Sequence, residues 1–248
     1  MNGKIKTVLV VGAGSGIGRA TAFEYAAAGW NVMLSARTEE TARRTADDIA
    51  ARSGRQVATT TIDVLDLHSL PGLMTALPVL PDTVICVVGD LGQQSLAEKD
   101  IVYAAQVMRA NFEGPALLLG LFAEAFLQRN SGVIVGVSSV AGDRGRGSNY
   151  IYGSAKAGMT AFLSGLRSRL SRTPVRVVTI KPGFVRTRMT AGLSLPGPLT
   201  ADPGEVARAI FRGAETPRRE VVYVRPVWRF IMLAIRLLPE RVFKRLTF

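Results

Sequence analysis

The sequence predicts an α/β fold, a single doubly wound parallel sheet of about seven strands with helices on both faces and an amphipathic helical tail at the C-terminus. Three observations lead there. Seven short β-rich runs, at residues 5–11, 31–36, 56–62, 83–88, 132–137, 175–180 and 220–224, alternate with segments of helix length. Several of the runs are continuously apolar instead of alternating, which suits strands covered on both faces. A glycine-rich turn follows the first run directly and opens a helical segment.

The first run leads into Gly12-Ala13-Gly14-Ser15-Gly16-Ile17-Gly18, and an alanine-rich helix is predicted over 21–28. A GxxxGxG spacing on Gly12, Gly16 and Gly18 between strand and helix suits a dinucleotide pyrophosphate. The glycines admit close backbone approach, and the helix start offers unpaired N–H groups at the positive end of its dipole. The sheet is therefore expected to be of the Rossmann type. After the second run, where an acidic residue would take the ribose 2′-hydroxyl of NAD, the chain reads Leu34-Ser35-Ala36-Arg37-Thr38. Arg37 suits a 2′-phosphate, to which a guanidinium gives two hydrogen bonds, with Arg19 or Thr38 as helpers. NADP(H) is the expected cofactor; the alternative is that Arg37 only begins the helix over 38–51. Asp63-Val64, after the third run, is placed beside the adenine. Residues 102–129 are long enough for two helices broken near Gly114-Pro115, and the Gly/Pro-rich stretch 192–204 reads as a loop and candidate lid.

With 248 residues, 48% of them hydrophobic, the chain can bury one substantial core, so a domain over 1–225 and a tail over 226–248 are expected. No stretch of 18 or more residues is uninterruptedly apolar, and neither a signal peptide nor an ordinary membrane span is expected. Cys86, the one cysteine, reads as a small buried hydrophobe, and His68 is the one histidine, so no metal site is expected. The net charge of +12 favours an anionic partner: nucleic acid, acidic lipid or a phosphorylated substrate. The basic residues form no block and aromatics are not interleaved with them as stacking platforms, so a nucleic-acid partner is not expected.

Tyr152-Gly153-Ser154-Ala155-Lys156 sets a phenol and an amine one helical turn apart, and Ser139 lies 13 residues before the tyrosine. An ammonium beside a phenol favours phenolate, so Lys156 is expected to lower the Tyr152 pKa and let it exchange a proton with a substrate oxygen. Ser139 could hold that oxygen. A surface tyrosine and lysine on an ordinary helix is the bland alternative.

The glycine motif, Asp63, Asn111, Ser139, Tyr152, Lys156 and Pro182-Gly183 together resemble the short-chain dehydrogenase/reductase superfamily over about residues 5–225. The resemblance implies Tyr152 as general acid in ketone reduction, Ser139 orienting the carbonyl, and Lys156 on the nicotinamide ribose. It implies a water of the proton relay on Asn111 and Thr187 on the carboxamide. Its implied cofactor set is Gly12, Gly14, Ser15, Gly16, Ile17, Gly18, Arg37, Asp63, Val64, Gly89, Lys156, Pro182, Gly183, Val185 and Thr187. The chain departs from the family pattern in its fourth strand, where Cys86-Val87-Val88-Gly89 replaces Asn-Asn-Ala-Gly, and at Val11, where threonine is common. Within the superfamily, the segments 138–144, 148–154 and 186–189 and the tail are similar to the decaprenylphosphoryl-2-keto-erythro-pentose reductases. Those enzymes reduce the 2-keto sugar of a polyprenyl phosphate after a separate flavin oxidase has made it, which implies a role in cell wall biosynthesis.

The tail from Trp228 combines large apolar residues with Arg229, Arg236, Arg241, Lys244 and Arg245. Such a helix can lie in the headgroup zone of an anionic leaflet, or it can pack on the sheet or a partner subunit. The expectation is therefore a cytoplasmic enzyme, peripheral on the inner face of the cell membrane, acting on a lipid-linked substrate; the superfamily resemblance further implies homo-oligomers. Two other readings stay open: a reductase or dehydrogenase of another hydrophobic ketone or alcohol (steroid, retinoid or acyl), and a catalytically silent NADP-sensing interaction protein.

Overall fold

The computed structural model describes residues 5–55 and 57–245. Seven parallel strands form the sheet: β1 (Thr7–Val11), β2 (Asn31–Ala36), β3 (Val57–Thr61), β4 (Thr83–Cys86), β5 (Gly132–Val137), β6 (Val175–Lys181) and, last in the chain, β9 (Val221–Tyr223). Their order is β3-β2-β1-β4-β5-β6-β9, so the chain reverses direction across the sheet between β1 and β4. An open crevice at the C-terminal ends of those two strands follows from that reversal. The third strand is described over Val57–Thr61, Gln56 of the expected run lying outside the described residues, and the fourth stops at Cys86, two residues short of the expected end.

Each face of the sheet has its own core. On one side α1 (Gly16–Ala27), α2 (Glu39–Ser53) and α8 (Pro203–Glu215) cover Val8, Val10, Leu34, Ile85 and Ile180. On the other, α3 (Leu70–Ala76), α6 (Gly114–Arg129) and α7 (Tyr150–Leu170) cover Leu9, Val11, Val84 and Ile134. Successive strand residues point to opposite faces and both faces are buried, which is why these strands read as unbroken apolar runs. Each fully buried Leu, Ile or Val side chain is worth about 1.5–3 kcal/mol.

The helix pair expected over 102–129 is a single 29-residue rod, Ile101–Arg129, not two helices broken at Gly114-Pro115. After α4 (Gln94–Ala97), α5 (Ile101–Met108) runs through one π-turn, Arg109–Glu113, straight into α6. The wider π-turn absorbs the missing N–H of Pro115, and Gly114 leaves room for the Val64 carbonyl, whose oxygen would stand 2.0 Å from a Cβ there. Among the described residues this is the helix long and apolar enough to cross a membrane by composition, and half of its most apolar window is buried.

The stretch 192–204 is mostly irregular, holding one 3-10 turn and the short strand β8 (Thr200–Ala201), which pairs with β7 (Phe184–Val185). The tail folds back on the protein as α9 (Val227–Leu237) and α10 (Glu240–Phe243). Trp228, Met232 and Phe243 are buried, the first two with Val140 in a third small core. Arg144 fastens the tail: its Nη1 donates to the carbonyls of Arg236 (3.2 Å) and Leu238 (3.0 Å) at the end of α9, its Nη2 reaches Glu240, and its guanidinium lies over the Phe243 ring. The last three residues, which the sequence reading assigned to the tail, lie outside the described residues.

Candidate active site

One large cavity, about 760 Å³, opens at the C-terminal edge of the sheet. Its floor at one end is the glycine turn. Gly12 takes φ +92°, and a Cβ on Gly18 would stand 2.3 Å from the Gly12 oxygen, so neither place accepts a side chain. Ser15 caps α1, accepting from Gly18 N at 2.9 Å and donating to Gly12 O at 2.9 Å. The cavity is lined at this end by Ser15, Gly16 and Ile17, so the first-turn N–H groups of α1 face a space a pyrophosphate could fill. The segment after β7 lies over it: Thr187 comes within 3.7 Å of where a Gly16 Cβ would be, and Arg188 Nη2 lies 3.5 Å from Gly14 O.

Arg37 and Asp63 line a separate, shallower depression of about 320 Å³ beside the glycine turn's end of the sheet. Arg37 is exposed and makes no ion pair among the described residues. Its expected helpers have other work: Arg19 is paired with Asp48, and the Thr38 hydroxyl caps α2 through Thr41 N. Val64 was expected at the cofactor and is placed otherwise, its side chain buried in the core under α6 and lining neither cavity.

Ser139, Tyr152 and Lys156 meet in the large cavity, with Gly89, Pro182, Gly183, Val185 and Thr187 on its walls. They converge because β5 ends at Val137 and a single 3-10 turn, Val140–Gly142, carries Ser139 against the start of α7. A Cβ on Gly142 would stand 2.6 Å from the Lys156 backbone, so only glycine permits this approach. Ser138 ties the same two elements, its hydroxyl donating to Lys156 O at 2.9 Å. The Ser139 hydroxyl accepts from Ala141 N at 3.1 Å and reaches Pro182 O only at 3.4 Å.

The expected electrostatic roles of Tyr152 and Lys156 are altered. Protein crowded round the phenol pushes the Tyr152 pKa up to about 12, and the group that favours its ionised form is the Ser139 hydroxyl. Lys156 does not lower it, contrary to the sequence reading. Its Nζ is 5.7 Å from the Tyr152 ring centre and donates to Val137 O at 3.2 Å. Burial also draws the Lys156 pKa down to about 8, which weakens the charge available to the phenol.

Asn111 sits in the π-turn, fully buried, and lines neither cavity. Its amide clamps the loop after β4, accepting from Asp90 N at 3.1 Å and donating to Asp90 O at 2.5 Å and Val107 O at 2.8 Å. Pro115, four residues on, has no N–H for the Asn111 carbonyl, so the ordinary helical bond to that oxygen cannot form.

The cavity also has walls that spacing did not reveal: Leu91, Gln94, Val140, Arg146, Leu193 and Trp228. Trp228 comes from the tail. Its ring packs edge-on to Phe184, its Nε1 donates to Leu199 O at 3.2 Å, and Gly183 beneath it admits no Cβ. Arg146 had no distinctive sequence signal, being one of three charges, with Asp143 and Arg144, between the hydroxyl and the phenol.

A parallel sheet with a glycine turn at its reversal point and a Ser-Tyr-Lys cluster facing it defines a nucleotide-dependent oxidoreductase. The chain belongs to the short chain dehydrogenase family, whose model matches residues 6–196. It is 36% identical over 96% of its length to an uncharacterized oxidoreductase of Mycobacterium tuberculosis, covering 96% of that protein. It superposes on a candidate NAD(P) dependent gluconate 5-dehydrogenase from Beutenbergia cavernae, solved with NADP at low occupancy (TM-score 0.82, 27% identity, 91% of this chain and 97% of that one). A variant of actinorhodin polyketide ketoreductase solved with NADPH gives a TM-score of 0.78 at 25% identity, over 89% of this chain and 95% of that one.

Proposed function

We propose that the chain is an NADPH-dependent ketone reductase in which Tyr152 protonates the carbonyl oxygen as it becomes an alcohol. The observation that carries this is the convergence of Ser139, Tyr152 and Lys156 in a cavity that begins at the N-terminus of α1. NADPH supplies the hydride when bound. The glycine turn from Gly12 to Gly18 would hold its pyrophosphate, Arg37 the 2′-phosphate, and Lys156 and Thr187 its nicotinamide end. Ser139 holds the substrate oxygen beside the phenol. Tyr152 enters protonated, in keeping with its raised pKa, and having given up its proton it must regain one from bulk before the next turnover. The Asn111 carbonyl, which Pro115 leaves without its ordinary helical bond, offers a place for a water in that return path. The two solved neighbours described above with NADP or NADPH support the cofactor assignment.

The substrate of this reading is the keto sugar of a polyprenyl-phosphate-linked pentose, delivered by a separate flavin oxidase and reduced at the inner face of the cell membrane. Its support is the resemblance of the segments quoted above and the outer face of α9. Phe230, Leu233 and Leu237, at helical spacing, are 68%, 56% and 75% exposed, flanked by exposed Arg229, Arg236, Arg241, Lys244 and Arg245. Each basic residue near an anionic surface adds about 1 kcal/mol. The reading includes self-association, for which the exposed apolar residues Ile101, Val102, Phe112 and Leu117, outside the cavity, are candidates. NADPH oxidation with a polyprenyl-phosphate keto-pentose, run beside a free hydrophobic ketone, tests the substrate. Turnover of the free ketone alone would leave a reductase of another hydrophobic carbonyl.

A further inference from the structure

The substrate end of the cavity contains a cation that makes no ion pair among the described residues. Arg146 lies between the Ser139 turn and α7, is partly buried, and lines the cavity with Ser148, Asn149 and Tyr152. Its Nε is buried without a hydrogen-bond partner, and the Asn149 Oδ1 is in the same condition. Buried donors and acceptors are ordinarily paired, so two orphans of opposite kind on one cavity wall point to a ligand.

The surrounding charges sharpen the point. Burial pulls the Arg146 pKa below the usual arginine range, and Asp143 is the carboxylate that opposes this. That carboxylate is already engaged, one oxygen by Lys181 Nζ and the other by the Tyr223 hydroxyl. Arg144, two residues earlier, spends its guanidinium on the tail, whereas Arg146 forms no ion pair among the described residues. Arg188, also on the cavity, is exposed and leans toward the glycine turn at the other end.

We infer that Arg146 binds an anionic group, a phosphate or a carboxylate, carried by the substrate, through its guanidinium. The inference rests on the reductase reading only in calling the ligand a substrate; the binding itself requires no turnover. Apolar walls from Leu91, Val140, Leu193 and Trp228 suit a hydrocarbon portion attached to that anion. A ligand of this class joins one fixed negative charge to an apolar body.

Calorimetric titration of the NADP-loaded protein with hexyl phosphate, hexanoate and hexan-1-ol tests it. The expected result is that one of the anions binds about tenfold or more tightly than the alcohol, as a charge-assisted bond to a guanidinium implies. The stronger of the two names the source of charge. Arg146→Gln should abolish that preference, and Arg146→Lys should keep part of it. Equal affinity for all three probes in the wild type, no binding of either anion, or a preference that survives in Arg146→Gln overturns the inference. The wild-type comparison stands even where a variant fails to fold. A protein that binds the anion yet oxidises no NADPH with any ketone would remove the reductase reading and leave this site in place.

Discussion

Lys181 and Asp143 form an ion pair withdrawn from water, their side chains only 7% and 2% exposed, and the second Asp143 oxygen accepts from the Tyr223 hydroxyl at 2.8 Å. This cluster joins β6, β9 and the turn that carries Ser139. Removing one member of a buried pair leaves the other charge uncompensated, at about 3–5 kcal/mol, while replacing both by apolar residues of similar volume is far milder. Asp143→Asn should therefore lower the unfolding free energy by that order, and Asp143→Leu with Lys181→Met should recover most of it. Urea unfolding of the three proteins gives the answer; a double variant no more stable than Asp143→Asn would show that the pair is not coupled.

On the proposed reading, Tyr152→Phe removes the proton donor without changing the ring. NADPH affinity should stay near normal and turnover should fall by roughly 10²–10⁴-fold, the usual share of a general acid. Single-turnover NADPH oxidation measures it, and full activity in the variant would end the assignment.

Lys156 gives a pH signature in stability. Its pKa falls from 10.5 in the unfolded chain to about 8 in the folded protein because burial penalises the charge. The folded state then holds fewer protons than the unfolded between these values, so stability rises with pH from about 8 to 10.5 and is lost as pH falls back through that window. The gain is about 3 kcal/mol by the usual conversion. Lys156→Met lacks it. The stability difference between the two proteins should shift by that order between pH 7.5 and pH 10; an unchanged difference would mean that the amine is not desolvated. Above pH 10 the raised Tyr152 pKa acts in the opposite sense, since the unfolded phenol ionises first.

On the proposed reading, Arg37→Asp exchanges a phosphate ligand for a ribose ligand at the end of β2. The ratio of NADPH to NADH affinity should fall by roughly tenfold or more. Fluorescence titration with both cofactors reads it directly, and an unmoved ratio would assign the 2′-phosphate elsewhere.

Vesicle binding separates the two faces of α9. Phe230→Ser, Leu233→Ser and Leu237→Ser together should abolish sedimentation with phosphatidylglycerol vesicles while leaving reduction of a soluble ketone intact, because none of the three lines the cavity. Truncating the tail is a poorer test, since it also removes Trp228 from the cavity wall. Undiminished sedimentation of the triple variant would detach α9 from any membrane role.

The sheet was legible in the chain because a parallel strand covered on both faces must be apolar at every position, as Val8 to Val11 are. The Ser139, Tyr152 and Lys156 cluster was legible because a helix fixes the last two and a strand end fixes the first. Gly114-Pro115 misled, since a residue pair that usually stops a helix can also follow directly on a π-turn, where a neighbouring carbonyl needs the space. The sign of the Tyr152 shift misled for another reason. Sequence spacing gives the separation of Cα atoms but not where an amine points, and Lys156 points at Val137 O. Trp228 and Arg146 were out of reach because a loop and a tail, with no periodic pattern, bring them to the cavity.

Helix α9 is about 16 Å long by its 11 residues, and the helix body is about 10 Å across. Trp228 on its inner side and Phe230 on its outer side are thus separated by little more than the thickness of one helix. A ketone on a long hydrocarbon chain would have only that distance to cross, keeping its chain in the leaflet while its head group is reduced. On the proposed reading the enzyme is a surface catalyst, whose rate follows the number of substrate molecules per unit area and saturates with crowding of the leaflet, not with concentration in the bulk.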